Sequence, residues 1–235
     1  MSTDRLDAPL LAFDTSEGVG SVAVGRGGSV LVERSLGERT QHARLLLQTV
    51  AALLSECGIA REDLTGVVVG AGPGSFTGVR VAAATAKGLC HALAIPLHPV
   101  SSLKAAAWGL GVAQQPDALR AVLFDARADR VFAGFYRIRG GRLEEDGQPA
   151  ATTVDGALSR RMEVTPLAMG SGARRHAEPI RQAGWQVLDS PWGDPLASSL
   201  LKVHWQDLES GAASSVNPAS WKPVYLKDSS ASPPR

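Results

Sequence analysis

Two parts of the chain repeat the same short pattern, and this repeat limits the fold more than any other feature of the sequence. Residues 11–14 form an apolar run that ends in aspartate, and residues 122–125 form a matching run. A pair of glycines follows each run at a similar distance, Gly27-Gly28 in the first case and Gly140-Gly141 in the second. Such an internal repeat predicts two copies of one folding unit. The alternative is that two α/β units share a generic hairpin.

The hydrophobic pattern predicts the elements of each copy. Short β-branched or alternating runs indicate strands, and longer amphipathic runs indicate helices. In the first half we predict strands at 10–14, 19–24 and 30–33, a helix at 41–57, a strand at 67–69, a helix at 77–93 and a strand at 97–100. In the second half we predict strands at 122–125, 131–136 and 167–169. This order predicts an α/β fold with two βββαβα-type subdomains.

The boundaries of the subdomains follow from the repeat. We predict an N-terminal subdomain at 1–103 and a C-terminal subdomain at 104–228. The stretch at 209–220 is rich in Ser, Ala and Gly and predicts a loop. The end of the chain, 229–235, contains Ser and Pro and predicts a disordered tail.

Composition and charge exclude several classes of protein. The formal net charge is +1, so the chain lacks the overall basic excess that binds nucleic acid by bulk electrostatics. If the chain acts on RNA, we expect a partner to hold most of that RNA. No apolar stretch approaches the roughly 20 residues that span a bilayer. The first eight residues lack the layout of a signal peptide, so we expect a cytoplasmic protein without membrane contact.

A glycine-rich loop follows the predicted strand at 67–69. It consists of Gly72, Pro73, Gly74, Ser75, Phe76, Thr77 and Gly78, with Arg80 two positions further on. A Walker loop requires Lys and then Ser or Thr after its last glycine, but Val79 and Arg80 stand there. A dinucleotide motif requires a third glycine and a later acidic residue, and residues 92–104 hold no carboxylate. We therefore interpret the loop as a tight turn that lets a helix pack closely on a sheet.

The two repeated apolar runs end in Asp14 and Asp125, where active actin-like, Hsp70-like and sugar-kinase proteins place acidic residues facing magnesium nucleotide. The following residues, 15–17 and 126–127, are not the small, glycine-rich ones that let phosphates approach. Glu17 would repel a phosphate, and Arg127 could attract one. We predict a degenerate nucleotide cleft at Asp14, Thr15, Ser16, Asp125 and Arg127. We expect no cofactor. Such a cleft would allow weak binding of ATP or ADP, but the sequence does not indicate it. A turn or capping role for both aspartates is the alternative.

The sequence carries no recognisable catalytic motif. No two of the five histidines lie three to five positions apart, so no helical metal-binding pair exists. No Gly-x-Ser-x-Gly elbow marks a nucleophile, because residues 74–78 have a different spacing. We therefore predict no catalytic residue and no metal site.

The two predicted helices of the first half have features of a partner-binding surface. Leu45 stands among polar residues on the helix at 41–57, where contact with one sheet does not require it. The helix at 77–93 carries small residues four positions apart, which let another helix approach closely. We predict a partner interface at Leu45, Gln48, Ala82, Ala84, Lys87 and Gly88. A tightly packed internal helix is the alternative.

Several segments, taken in order, resemble one protein family. They are residues 13–16, the loop at 72–80, and the runs at 86–89, 99–103, 125–127 and 225–227. Together they resemble the TsaB family, which is also described as a glycoprotease-like paralogue of TsaD. The nine-residue loop is the specific element. The resemblance runs from about residue 10 to residue 227 and is sparse between residues 142 and 224.

The resemblance implies a duplicated actin-like or Hsp70-like fold of the ribonuclease H-like class, with a degenerate nucleotide site. It implies a subunit that is not an enzyme on its own. This subunit would activate TsaD, the catalytic paralogue, in the bacterial complex that forms N6-threonylcarbamoyladenosine at position 37 of tRNAs reading codons that begin with A.

The resemblance also implies the partners. TsaD, which carries the metal-binding histidines absent here, would pair with the N-terminal helices, and the small ATPase TsaE would join the two proteins. The chain would reach tRNA only through the complex. The isolated chain could form a homodimer through the face meant for TsaD, since an exposed apolar patch seeks cover. Two alternatives remain, a nucleotide-dependent enzyme of the actin-like superfamily and, on weaker grounds, a peptidase.

Overall fold

Two mixed β-sheets form the framework of the computed structural model, which describes residues 8–109 and 118–226. The predicted tail at 229–235 and residue 227 of the family resemblance lie outside these residues, as do seven of the eight residues of the polar start.

The first sheet has five strands in the order β3-β2-β1-β4-β5. The strands are β1 (Leu10–Asp14), β2 (Val19–Arg26), β3 (Ser29–Glu38), β4 (Gly66–Gly70) and β5 (Leu97–Val100). The first three form an antiparallel meander, whereas β4 and β5 run parallel to β1. The predicted βββαβαβ order of this half is confirmed. The buried β-branched run at 67–69 lies within β4, because a central parallel strand is covered on both faces.

The second sheet has the same strand order with one addition. Its strands are β6 (Arg120–Asp125), β7 (Arg130–Arg139), β8 (Arg142–Glu145), β9 (Ala150–Thr153), β10 (Leu167–Met169) and β11 (Gln186–Val187). The order β11-β10-β6-β7-β8 matches that of the first sheet, and β9 pairs with β7 in addition. The fold is therefore duplicated, as the sequence repeat predicts, and two copies of one topology are present.

Seven helices accompany the described strands. They are α1 (His42–Glu56), α2 (Phe76–Leu93), α3 (Ser102–Trp108), α4 (Val154–Leu158), α5 (Ser171–Arg175), α6 (Ala177–Gln182) and α7 (Ala197–Glu209). The predicted helices at 41–57 and 77–93 correspond to α1, which is one residue shorter at each end, and to α2, which begins one residue earlier. Across the part of the chain that the structure describes, no helix is both long and apolar enough to cross a membrane.

Alternation along the strands divides the core into layers, because successive side chains of a strand point to opposite faces. In β1, Leu11 and Phe13 pack with α1 and α2, whereas Leu10 and Ala12 pack on the opposite face. In β6, Ala121 and Leu123 pack toward α4–α6 in the same way. Each sheet therefore has an outer helical layer, and the two inner faces look toward each other.

The inner layer consists of α3 and α7, which are exchanged between the halves. Helix α3 follows the first sheet in sequence, but Leu103, Ala106 and Ala107 pack against β6, β7 and β8 of the second. Helix α7 ends the second half, and Leu200 and Leu201 pack against the first sheet. The predicted subdomain boundary at 103 lies inside α3.

Polar contacts fix the position of α7 across the molecule. The backbone N–H of Ala197 donates to Ser21 Oγ of β2 at 2.7 Å, and that of Ser198 donates to Glu33 Oε1 of β3 at 2.9 Å. These first-half side chains satisfy N–H groups that a helix leaves unpaired at its first turn. Near the other end, the Gln206 side chain exchanges hydrogen bonds with the backbone of Leu143 in β8.

Candidate functional site

The first four residues from the end of β1 into the turn, Asp14, Thr15, Ser16 and Glu17, are buried. Asp14 Oδ1 accepts a hydrogen bond from the backbone N–H of Ser16 at 2.6 Å, and Oδ2 accepts one from Ser102 Oγ at 2.6 Å. Burial raises the pKa of Asp14 above its usual range, although the hydrogen bonds from Ser102 and Ser16 oppose that shift. Asp14 therefore acts as a turn residue, and each of its carboxylate oxygens accepts a hydrogen bond from within the chain.

The glycine-rich loop covers this turn through backbone contacts. Thr15 Oγ1 donates to the carbonyl of Gly78 at 2.6 Å, and the N–H of Ser75 donates to the carbonyl of Ser16 at 2.7 Å. A Cβ at Gly78 would lie 1.9 Å from the Thr15 carbonyl oxygen, and one at Gly74 would lie 2.6 Å from that of Ser16. Only glycine fits at either position, because the neighbours are main-chain atoms that cannot move aside. The loop therefore covers the backbone of Thr15 and Ser16, which would have to be accessible for this turn to contact a ligand.

Some of the other residues in and after the loop hold it against the core, and the rest are exposed to solvent. The N–H of Gly72 donates to Ser102 Oγ at 3.1 Å, and Pro73 is buried. Ser75 begins α2 as its N-cap, accepting a hydrogen bond from Gly78 N at 3.4 Å. Phe76, Thr77 and Arg80 lie on the surface. The loop is a tight strand-to-helix connection with an exposed outer edge.

The equivalent turn between β6 and β7 is open to solvent. Asp125 Oδ1 accepts from the N–H of Arg127 at 2.9 Å, as Asp14 does from Ser16. Its Oδ2 forms an ion pair with Arg175 at 2.7 Å. Arg127 is exposed and has a left-handed backbone, with φ of 72°. The two aspartates thus share a turn role, but only the first is sealed from water.

Glu17 connects the two turns, a contact that the sequence does not predict. Its side chain is buried beside Ser171, whose hydroxyl also accepts from the backbone N–H of Asp125. Burial raises the pKa of Glu17 to about 7, while the hydrogen bond with Ser171 and the charge of Arg39 lower it in part. The structure therefore brings together the predicted cleft residues of both halves, with Glu17 and Ser171 between them.

Histidines and acidic residues do not form a metal-binding group in the part that the structure describes. No three His, Cys, Asp or Glu side chains within residues 8–109 and 118–226 come together in such an arrangement. His98 and His204 lie with ring centroids 4.4 Å apart. Burial lowers the pKa of both, that of His204 to about 3, so this pair is neutral at physiological pH.

The predicted partner interface lies on the outer layer formed by α1 and α2, with one exception. Gln48, Ala84 and Gly88 are exposed, and a Cβ at Gly88 would meet no atom within 4 Å. Leu45 and Lys87 are half-buried. Ala82 is the exception, because it points inward and packs in the core between α2 and the first sheet. Its assignment to an outer face was wrong, since it lies on the inner side of α2.

An apolar groove lies between α1 and α2, and its lining residues are not among those predicted for the partner interface. It has a volume of about 640 Å³ and is lined by Leu47, Val50, Ala51, Leu54, Arg61, Glu62, Leu64, Leu89, Ala92 and Leu93. Leu47 is 54% exposed at the edge of this groove. The signal in the sequence is that the apolar residues of α1, which include Leu45, Leu46, Leu47 and Val50, cover more of the helix than contact with one sheet requires.

Comparisons with known proteins agree on one family. A family model described as "TsaD: tRNA N6-adenosine threonylcarbamoyltransferase" matches residues 38–182. The chain is 37% identical to the tRNA threonylcarbamoyladenosine biosynthesis protein TsaB of Bacillus subtilis over 136 residues, a match that spans only 58% of either chain. It is 27% identical to Escherichia coli TsaB over 222 residues, 93% of this chain and 94% of that one. The solved structure of YeaZ from Pseudomonas aeruginosa has a TM-score of 0.79 and 30% identity, and the match covers 93% of this chain and 100% of that one.

Two sheets of one topology, each with an aspartate-ended first strand and a turn facing the other half, define a duplicated actin-like protein of the ribonuclease H-like class. The loop at 72–80, which carries the family resemblance in the sequence, covers the first turn. The chain belongs to the TsaB family.

Proposed function

We propose that this chain is a non-catalytic subunit that binds and activates a TsaD-type catalytic partner. In this proposal it acts in the cytoplasm, in the pathway that forms N6-threonylcarbamoyladenosine at position 37 of tRNA. The names of its relatives support the pathway. The observation that carries the proposal is the apolar groove between α1 and α2.

The groove has the physical character of a helix-docking surface. Leu47 is exposed at its edge, and an exposed apolar surface of this kind favours association. Ala92 lines the groove, and Ala84 and Gly88 continue the exposed row outside it at spacings of four along α2. Small residues in such a row let a second helix approach to about 8 Å between axes. A helical pair from a paralogue of the same fold would match this surface.

The sealed first turn supports the non-catalytic part of the proposal. Both Asp14 carboxylate oxygens accept hydrogen bonds, from Ser16 and Ser102, and the loop contacts the turn backbone. The buried Glu17 beside it disfavours a phosphate at this position. Calorimetry with magnesium ATP distinguishes a non-catalytic subunit from a nucleotide-dependent enzyme. Micromolar binding with turnover by the isolated chain would favour the enzyme.

The decisive experiment mixes the purified chain with its TsaD partner and measures complex formation by gel filtration. We expect a stoichiometric complex for the parent chain and its loss for Leu47→Glu, because the new charge would be buried against apolar surface. Leu31→Glu is the matched control, since Leu31 is 48% exposed on strand β3, away from the groove. Equal complex formation by both variants would remove the groove from the proposal, and no complex with the parent chain would remove the partner.

The same variants test self-association and activity. If the isolated chain forms a homodimer through this groove, Leu47→Glu should shift its sedimentation to that of a monomer, whereas Leu31→Glu should not. A reconstitution with the TsaD partner, the small ATPase TsaE and tRNA then measures N6-threonylcarbamoyladenosine by mass spectrometry. We expect the modification to depend on this chain and to fall with Leu47→Glu.

A further inference from the structure

An exposed cluster of two aromatic rings and one guanidinium lies at the start of α2. The guanidinium carbon of Arg80 lies 3.7 Å from the ring centroid of Phe76, and Arg80 Nε donates to the hydroxyl of Tyr225 at 3.3 Å. The two rings lie 5.9 Å apart. Phe76 is 57% exposed and Tyr225 is 49% exposed, so both present ring faces or edges to solvent. We refer to these three residues as the stacking cluster.

The stacking cluster is built by a C-terminal segment that lies along α2. The backbone N–H of Val224 donates to the carbonyl of Ala71, and Trp221 packs against the core of the first half. Further along, Lys87 Nζ donates to the carbonyl of Ala219 at 3.5 Å. Residues 219–225 therefore run beside α2 from Lys87 back to Arg80, and Tyr225 is held in place instead of being a loose surface side chain.

This surface carries positive charge without acidic neighbours in sequence. No Asp or Glu occurs between Leu64 and Pro116, or between Ser210 and Lys227. In the described residues, Arg80, Lys87 and Lys222 form no ion pair, in contrast to arginines elsewhere such as Arg34, which pairs with Glu56. A chain with a net charge of +1 thus concentrates unpaired positive charge beside exposed aromatic rings.

We propose that the stacking cluster binds an unpaired base of RNA, with Lys87 and Lys222 facing the adjoining phosphates. Single-stranded RNA is recognised by stacking of bases on aromatic rings and on Arg guanidinium planes, combined with a positively charged track for the backbone. All three features occur together here. The identification of the RNA as tRNA rests on the proposed function, whereas the stacking chemistry does not.

The position of the cluster separates it from the proposed partner groove. The groove is lined by Leu89, Ala92 and Leu93, which lie in the last turns of α2, whereas Phe76 begins that helix. Phe76 and Leu89 are thirteen positions apart on the helix, which corresponds to roughly 20 Å. A helical partner that contacts the groove residues leaves Phe76 and Tyr225 open to RNA, whereas Arg80 continues the row of Ala84, Gly88 and Ala92 on α2 at the same spacing of four. The small net charge predicts that this contact is local and modest, with most of the tRNA held by the partner.

The test measures binding of a fluorescent single-stranded RNA and of a tRNA to the full chain at low salt by anisotropy. Tyr225→Ala should weaken binding of the single-stranded RNA by about 5- to 100-fold, because one stacked base is lost. Tyr225→Phe should keep the affinity, since the ring remains. Arg80→Ala provides a second, exposed variant that does not depend on the C-terminal segment. Arg181→Ala, an exposed arginine of α6, is the matched control and should bind like the parent.

Charge and stacking give different signatures in this assay. Lys87→Ala should reduce the slope of log affinity against log salt by about 0.7, the value expected for one phosphate contact on a single strand. Tyr225→Ala should lower affinity with the slope unchanged. Absence of RNA binding by the parent chain would overturn the proposal, as would unchanged affinity in both Tyr225→Ala and Arg80→Ala.

Complex formation with the TsaD partner, measured in parallel, separates this inference from the proposed function. A parent chain that binds RNA through the cluster but forms no complex would contradict the proposed function and support the cluster. If Tyr225→Ala and Arg80→Ala lose the complex but bind RNA like the parent, the cluster is a protein contact and the inference is wrong.

Discussion

The two turns that follow the first strands of the halves have the same backbone role and opposite surroundings. In each, an aspartate accepts a hydrogen bond from the N–H two residues later. Asp14 lies at zero exposure under the glycine loop, whereas Asp125 is partly exposed and pairs with Arg175 on the surface. Both halves therefore contain the same turn, and only the first turn is covered, by the loop between β4 and α2.

The difference arises in the segment after the fourth equivalent strand. Strand β4 leads through the long glycine loop into α2, which has 18 residues. Strand β10 leads directly through Gly170 into α5, which has only five. In both halves the connection approaches the first strand closely, because a Cβ at Gly170 would lie 2.7 Å from the Leu123 carbonyl oxygen. Only the longer loop of the first half also reaches over the turn.

The largest expected effect comes from breaking the contact between loop and turn. Gly78→Ala should destabilise the protein by about 3–4 kcal/mol, because the new methyl collides with the Thr15 carbonyl. Gly88→Ala, in the same helix but facing open space, should be neutral or stabilise by up to about 1 kcal/mol. Urea unfolding of both variants measures the difference. Equal stability of the two would mean that the loop does not press on the turn.

An intermediate effect is expected from removing each aspartate. Asp14→Ala should cost about 2–3 kcal/mol, since it leaves the Ser16 N–H and the Ser102 hydroxyl buried without an acceptor. Asp125→Ala should cost less than about 1 kcal/mol, because its ion pair with Arg175 is exposed to solvent. Thermal unfolding of the two variants under identical conditions compares them. A larger loss from Asp125→Ala would reverse the distinction between sealed and open turn.

The smallest effect depends on pH and tests Glu17 between the turns. The folded pKa of about 7 exceeds the ordinary value of 4.5, so the folded protein binds the proton more tightly than the unfolded chain. Glu17 should therefore lower stability as pH rises from 4.5 to 7. Glu17→Gln should be more stable than the parent by about 1–2 kcal/mol at about pH 8 and equal to it at about pH 5.

Denaturant unfolding at both pH values checks this, with the exposed Glu163→Gln as the control. A difference between parent and Glu17→Gln that stays constant across the two pH values would mean that the Glu17 carboxyl titrates normally in the folded protein. The control should show no pH-dependent gain, because Glu163 lies on the surface.

Much of the framework could be predicted because its signals are local. The β-branched run of β4, the hairpin glycines and the amphipathic pattern of α2 are each legible within a few residues. The repeat then extended the prediction from one sheet to two. The second half was predicted less completely: strands β8, β9 and β11 and helices α4–α7 were not located. Strand β9, for example, has only four residues, of which three are half-buried, and so carries little periodicity.

The parts that could not be predicted depend on contacts between distant segments. Ala82 and Ala84 look alike in sequence, and only the rotation of α2 on the sheet decides that the first is inside and the second outside. Similarly, the contact of Tyr225 with Arg80 has no local signal, because the two residues are 145 positions apart along the chain. The burial of Glu17 likewise requires Ser171 from the other half.

The exchange of α3 and α7 has a consequence for how this molecule is assembled. Each sheet receives its inner cover from the opposite repeat, so neither repeat alone can hide its own apolar face. The two repeats therefore form a single cooperative unit, in which loss of one half uncovers the apolar face of the other. We expect one unfolding transition for the whole chain, and separately produced halves that gain structure only on mixing.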